Sequence, residues 1–147
     1  MVEIILAYSL LVDVGLLNAS EYENSFNKLF LKTPNSDFLS ELAWCFSDMK
    51  KVKTLVFDYC EKNELDYDVF GSILMEKLSL AYFQENVDIH TFNSKLLEIW
   101  GGLPKKLMQI EPFWTMSYAG EPLLWGDIKQ TRKLYNNMFD FYGKNKN

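Results

Sequence analysis

Histidine and arginine occur once each in the 147 residues, as His90 and Arg132, and cysteine only twice, as Cys45 and Cys60. A zinc site needs several His, Cys or carboxylate ligands at close spacing, and neither Cys-x-x-Cys nor His-x-x-x-His occurs. No Asp-x-Asp-x-Asp-Gly calcium loop is present either. Two cysteines cannot frame a disulfide scaffold. A single Arg argues against nucleic acid, because phosphates and base edges are read largely by guanidinium forks. Gly101-Gly102 runs into Leu103-Pro104, so the glycine pair is a helix stop rather than a phosphate cradle. No apolar run approaches the roughly 18 residues that a membrane helix requires. Metals, cofactors, nucleic acid and membrane are therefore not expected as partners.

What remains is rich in rings and acids. The chain holds 11 Phe, 8 Tyr and 4 Trp; it is 48% hydrophobic and carries a formal net charge of −5. That composition and length fit one globular domain spanning residues 1–147, able to bury about two-thirds of its unfolded surface. The abundance of Asn and Lys is of the kind seen in bacteria of low GC content.

The first seventeen residues are strongly apolar, from Ile4-Ile5-Leu6-Ala7 to Leu16-Leu17. A signal peptide would place Lys or Arg before such a run and small residues after it. Glu3 stands on its flank and Asp13 inside it, which fits a buried helix better. The expected location is cytoplasmic, where both cysteines stay reduced and serve as small core residues. A helix apolar nearly all round must be central in the core or covered by another chain, so a homo-oligomer is one possible arrangement.

Helical spacing continues along the chain. Ser20-Glu21-Tyr22-Glu23 predicts a capping box, followed by a stripe of Tyr22, Phe26, Leu29 and Phe30. Pro34 ends that helix, and Ser36 caps the next, with Phe38, Leu39, Leu42, Ala43 and Phe46 facing inward. Asp48 caps a face of Met49, Val52, Val56, Tyr59 and Cys60. A long helix is expected from Tyr67 to Glu85, where Gly71 is costly unless a neighbour packs closely against it. Asp88 caps the stripe Ile89, Phe92, Leu96, Ile99 and Trp100, and glycine in the left-handed conformation is expected to end it. Asp127 caps a last helix that Gly143 stops, with Lys144 to Asn147 as a frayed tail. Strand-like alternation is missing. The expected fold is all-α: a single irregular bundle of about seven helices, with an aromatic-rich loop at 111–126 near the C-terminus.

Three features could carry function. His90 lies on the polar side of its helix; as a catalytic base it would need a Ser or Cys brought close by folding, and it reads as a surface histidine. Asp58, Glu61, Glu64, Asp66 and Asp68 crowd around Lys62 alone. A solvated turn with ordinary capping accounts for these acids; a knob that meets a basic partner is the functional alternative. The third feature is the loop with Phe113, Trp114, Tyr118 and Trp125, whose turn at Gly120 would present Trp114, Tyr118 and Glu121 together. Sealing one end of the bundle is the ordinary role for such a loop, and anchoring a partner the functional one. The charge is segregated: Lys129, Arg132, Lys133, Lys144 and Lys146 face only Asp127 and Asp140 in the last stretch.

The function expected from these features is a small acidic protein-interaction module without catalytic activity, in the manner of an immunity or antitoxin-like inhibitor of a basic protein. Two alternatives stand beside it. One is a small-molecule binder or hydrolase-like enzyme whose pocket combines the 111–126 loop with Glu111 or Glu121. The other is a homo-oligomeric structural module.

Overall fold

The computed structural model of the chain describes residues 2–84 and 87–144. Every regular element among them is helical, and the chain divides into two compact units, Met1–Phe70 and Gly71–Asn147.

The first unit comprises α1 (Val2–Asp13), α2 (Ala19–Lys32), α3 (Asp37–Trp44), α4 (Met49–Lys62) and the opening of α5 (Tyr67–Tyr82). Its centre is α1, which packs against α2 and α4. Ile5, Leu6, Ala7, Leu10 and Leu11 are all buried. The helix is thus covered within one chain, and its apolar surface needs no second copy to hide it. Its polar members are hydrogen-bonded: the Ser9 hydroxyl donates to the Leu6 carbonyl at 3.0 Å, and the Glu3 carboxylate accepts the Asp66 amide at 3.3 Å. Burial pushes the Glu3 carboxyl up, but its hydrogen bonds outweigh this and hold it below the usual carboxylate range. At the far end, Lys53 and Asp13 form an ion pair at 2.6 Å.

Ser36 and Asp48 cap α3 and α4 by accepting the Leu39 and Lys51 amides. The capping box at Ser20 does not form. α2 begins after Asn18, whose side chain makes no capping bond, so Ser20 already lies in the first turn of the helix and does not occupy its N-cap. Phe46 closes on Tyr22 and Phe26, with ring centroids 5.3 and 5.2 Å apart. Ala43, expected to face inward, is exposed, and Cys45 and Cys60 are only half-buried.

The second unit continues α5 and adds α6 (Ile89–Gly101), α7 (Lys105–Met108), α8 (Phe113–Tyr118), a 3₁₀ turn (Glu121–Trp125), α9 (Ile128–Phe139) and α10 (Phe141–Lys144). Among the described residues ten α-helical segments therefore stand where the periodicity suggests about seven. The excess is short elements, which are too brief to impose a period on the sequence. The core is a cluster of rings: Tyr82 lies 5.3 Å from Phe92, 5.5 Å from Tyr135 and 5.4 Å from Phe139. Its hydroxyls are satisfied. Tyr135 donates to Asn93 Oδ1 at 2.9 Å, and Arg132 donates to the Tyr82 oxygen at 2.7 Å.

Two glycines allow close approach in this unit. A Cβ at Gly71 would sit 1.9 Å from the Tyr142 hydroxyl, so the neighbour that justifies this mid-helix glycine is Tyr142. At Gly120 the same atom would lie 2.1 Å from Asn93 Oδ1, the acceptor of the Tyr135 bond.

Helix ends differ from expectation in three places. Gly102 stops α6 at φ −95°, outside the left-handed region, with its amide donating to Glu98 and Ile99 carbonyls. α9 ends at Phe139, and Gly143 lies within α10 instead of stopping the helix before it. α5 ends at Tyr82; Glu85, like the expected frayed residues 145–147, lies outside the described residues.

Candidate functional site

The acidic segment belongs to the first unit. α4 closes with the Asn63 amide and side chain both donating to the Tyr59 carbonyl. Asp58 and Glu61, three residues apart on its last turns, are exposed, as are Glu64, Asp66 and Asp68. Carboxylates near a helix C-terminus meet the negative end of its dipole, so Asp58 and Glu61 are held there at some cost. Asp66 has a structural duty: its side chain accepts the Val69 amide at 3.1 Å and caps α5. Asp68 lies in the first turn of that helix, where negative charge is favourable.

Also in this unit, Trp44 ends α3 with 91% of its surface exposed. A cleft of about 360 Å³ between α3 and α4 residues is lined by Glu41, Cys45, Lys50, Lys51, Thr54 and Leu55. The Cys45 thiol donates to the Glu41 and Leu42 carbonyls, and burial pushes it up. A thiol held protonated in this way is a poor nucleophile.

The 111–126 segment is not an irregular loop. Its breakers separate short helices: Pro112 precedes α8, Gly120 precedes the 3₁₀ turn, and Gly126 ends it. Proline at the start of a helix and glycine after it mark boundaries as readily as loops, and the six residues of α8 cannot display a stripe. Phe113, Thr115 and Met116 are buried under α8, while Trp114 keeps 45% of its surface exposed. Trp100, Trp114 and Tyr118 follow one another at centroid distances of 6.3 and 6.4 Å. The Trp100 indole donates to the Met108 carbonyl at 3.0 Å. Trp114 and Tyr118 are thus brought together, whereas Glu121 opens the 3₁₀ turn, exposed and sharing no hydrogen bond with either.

The turn itself presents large apolar side chains whose exposure the spacing of the sequence does not predict. Leu124 is 85% and Trp125 67% exposed, and Ile128, at the start of α9, is 42% exposed. Their positions are fixed. Pro122 is buried, Gly126 takes φ 78°, and the Asp127 amide donates to the Pro122 carbonyl at 2.9 Å. The Asp127 side chain then caps α9 through the Gln130 amide. Gly126 occupies the left-handed region that a Cβ disfavours, so this reversal suits glycine. A tryptophan followed by glycine between two short elements was the available clue.

A second cleft, of about 410 Å³, opens beside α8 and is lined by Glu111, Thr115, Tyr118, Leu134, Asn137 and Met138. The Thr115 hydroxyl donates to Glu111 Oε2, and the Tyr118 hydroxyl stands 3.5 Å from Thr115 Oγ1.

His90 is exposed in the first turn of α6, capped by Asp88. The Thr91 hydroxyl and amide, donating to Asp88, hold that carboxyl below the usual range. Among the described residues no three His, Cys, Asp or Glu side chains converge as metal ligands would, and no helix is long and apolar enough to cross a membrane. Compared with protein-family models, curated proteins and solved structures, the chain matches none of them.

Proposed function

We propose that this chain is a protein-interaction module without catalytic activity, which binds a basic partner protein in the manner of an immunity-like inhibitor. The observation that carries this reading is the Leu124-Trp125 turn with Ile128 beside it. Large apolar side chains are held out to solvent by a backbone whose turn geometry is fixed at both ends. Exposed apolar surface on an ordered element marks contact sites, and Trp is enriched among the residues that dominate binding energy. Trp114, Tyr118 and Glu121 supply further contact surface on the same unit. In the first unit, Asp58, Glu61, Glu64 and Asp68 are solvated, and together with Asp66 and the net charge of −5 they would draw a positively charged protein and accelerate its association.

The experiment is a salt-dependent capture followed by a titration. The partner retained from the native cell at low salt is identified, produced pure, and titrated against the wild-type chain, Trp125→Ala, and a Asp58→Lys/Glu61→Lys double variant. Trp125→Ala is expected to weaken binding by about 2 kcal/mol or more, roughly 30-fold, with helicity unchanged. The double variant is expected to slow association and flatten its salt dependence. A partner that is not basic, or binding indifferent to salt and to both variants, overturns the proposal.

A further inference from the structure

We infer that the cleft beside α8 binds a small organic ammonium ion carrying an apolar body. This goes beyond partner binding and stands on different residues from the Leu124-Trp125 turn. The hydrogen-bond directions set the chemistry. Thr115 spends its only proton on the Glu111 carboxylate, so at the 3.5 Å Thr115–Tyr118 contact the tyrosine is the donor. With those protons committed, the second carboxylate oxygen of Glu111 and the lone pairs of Tyr118 are left as acceptors for a guest, and the Asn137 amide, which carries both donor and acceptor, can turn its oxygen to join them. Among the described residues no Lys or Arg lines the cleft to neutralise Glu111. Such a wall complements a group with several protons and a positive charge, and it repels a carboxylate or phosphate.

The rest of the lining is apolar, from Pro112, Leu134, Met138 and Phe141, and suits an alkyl or aryl body rather than a bare ion. The rings of Tyr118 and Phe141 add a face that attracts cations. A volume of about 410 Å³ falls toward the lower end of the roughly 300–1,000 Å³ typical of ligand clefts, which points to a small amine rather than a peptide.

The test uses 2-phenylethylammonium, with 2-phenylethanol and 3-phenylpropanoate as neutral and anionic counterparts of similar shape. Each is titrated into the full chain while backbone amide resonances are followed. The amine is expected to give saturable shifts at Thr115, Tyr118 and Leu134, and to bind at least tenfold more tightly than either counterpart. Glu111→Gln keeps an acceptor for Thr115 and removes the charge, so it is expected to weaken the amine at least tenfold and leave the alcohol unchanged. Asn137→Lys, at an exposed position, is expected to abolish amine binding by repulsion while the amide spectrum stays that of a folded chain. Absence of saturable shifts, equal affinity for amine and propanoate, or indifference to Glu111→Gln each overturns the proposal.

Discussion

The two units solve the same burial problem with different materials. The first wraps an aliphatic helix, α1, in α2 and α4, and turns carboxylates outward between Asp58 and Asp68. The second is held by a cluster of rings, Tyr82, Phe92, Tyr135 and Phe139, and also carries Leu124, Trp125 and the α8 cleft at its surface. They differ in polar satisfaction as well. The second unit pairs both of its core tyrosine oxygens, through Asn93 and Arg132. In the first, the Tyr22 hydroxyl is the buried side-chain polar atom that finds no hydrogen-bond partner among the described residues. An aromatic core whose hydroxyls are paired gains direction as well as burial. A core in which one buried ring hydroxyl is orphaned carries a penalty within it.

The largest effect that would test this contrast is at Tyr135. It touches three other rings of the cluster and is fully buried. Tyr135→Ala is expected to lower unfolding stability by about 3–5 kcal/mol, read by chemical denaturation. A loss below about 1 kcal/mol would mean that the ring cluster does not organise the second unit.

Alkaline pH comes next. Burial, with Cys45 adding a smaller push, raises the Tyr22 hydroxyl from 10.0 to about 12, and burial with Tyr82 raises Tyr135 too. Both groups hold their proton more tightly when folded than when unfolded. Their contribution is therefore complete below pH 10 and falls as pH rises above it, that of Tyr22 being lost as pH climbs through about 12. At about 1.4 kcal/mol for each unit of displacement, Tyr22 accounts for roughly 2–3 kcal/mol. The Cys60 thiol, pushed by burial and then by Glu3 to about 11, adds a loss that begins near pH 9. Denaturation midpoints are expected to fall across this range, and less steeply in Tyr22→Phe. A stability that stays flat from pH 10 to 12 would contradict the burial of both hydroxyls.

Much of this contrast is legible in the sequence. Long helices announce themselves by period: the stripes Tyr22-Phe26, Val52-Val56 and Phe92-Leu96-Ile99 are buried as spaced. Caps at Ser36, Asp48, Asp88 and Asp127 follow from a side-chain oxygen placed just before an apolar stripe. Short elements escape this logic. α8 and the 3₁₀ turn are each less than two α-helical turns long, so their prolines and glycines outweigh any periodic pattern, and the segment reads as a loop. The candidate site depends on the same segment. That Trp114 and Tyr118 adjoin follows from a four-residue spacing once a helix is granted. The cleft does not follow, because Leu134 and Met138 reach it from a helix distant in sequence. Nor does the exposure of Trp125, since composition leads one to bury most tryptophans, and only the fixed turn at Gly126 holds this one outside.

The smallest effect is the most discriminating, because it is expected to change sign between the units. Tyr135→Phe and Tyr22→Phe remove the same atom from rings that are both almost wholly buried. In the second unit the loss deprives Asn93 Oδ1 of the donor at 2.9 Å, and a part-buried amide oxygen is left to find water or go unpaired. The expected cost is about 1 kcal/mol, the usual net worth of such a bond. In the first unit no bond is lost, because the Tyr22 oxygen has none among the described residues. Folding no longer strips water from a hydroxyl without return, and stability is expected to rise by about 1 kcal/mol. Two denaturation curves against wild type decide it. If both variants lose stability alike, the Tyr22 hydroxyl has a partner in solution, an ordered water being the simplest, and polar satisfaction does not distinguish the two cores. If they diverge, the distinction rests on the pairing of a single oxygen atom in each, with ring, volume and burial held constant.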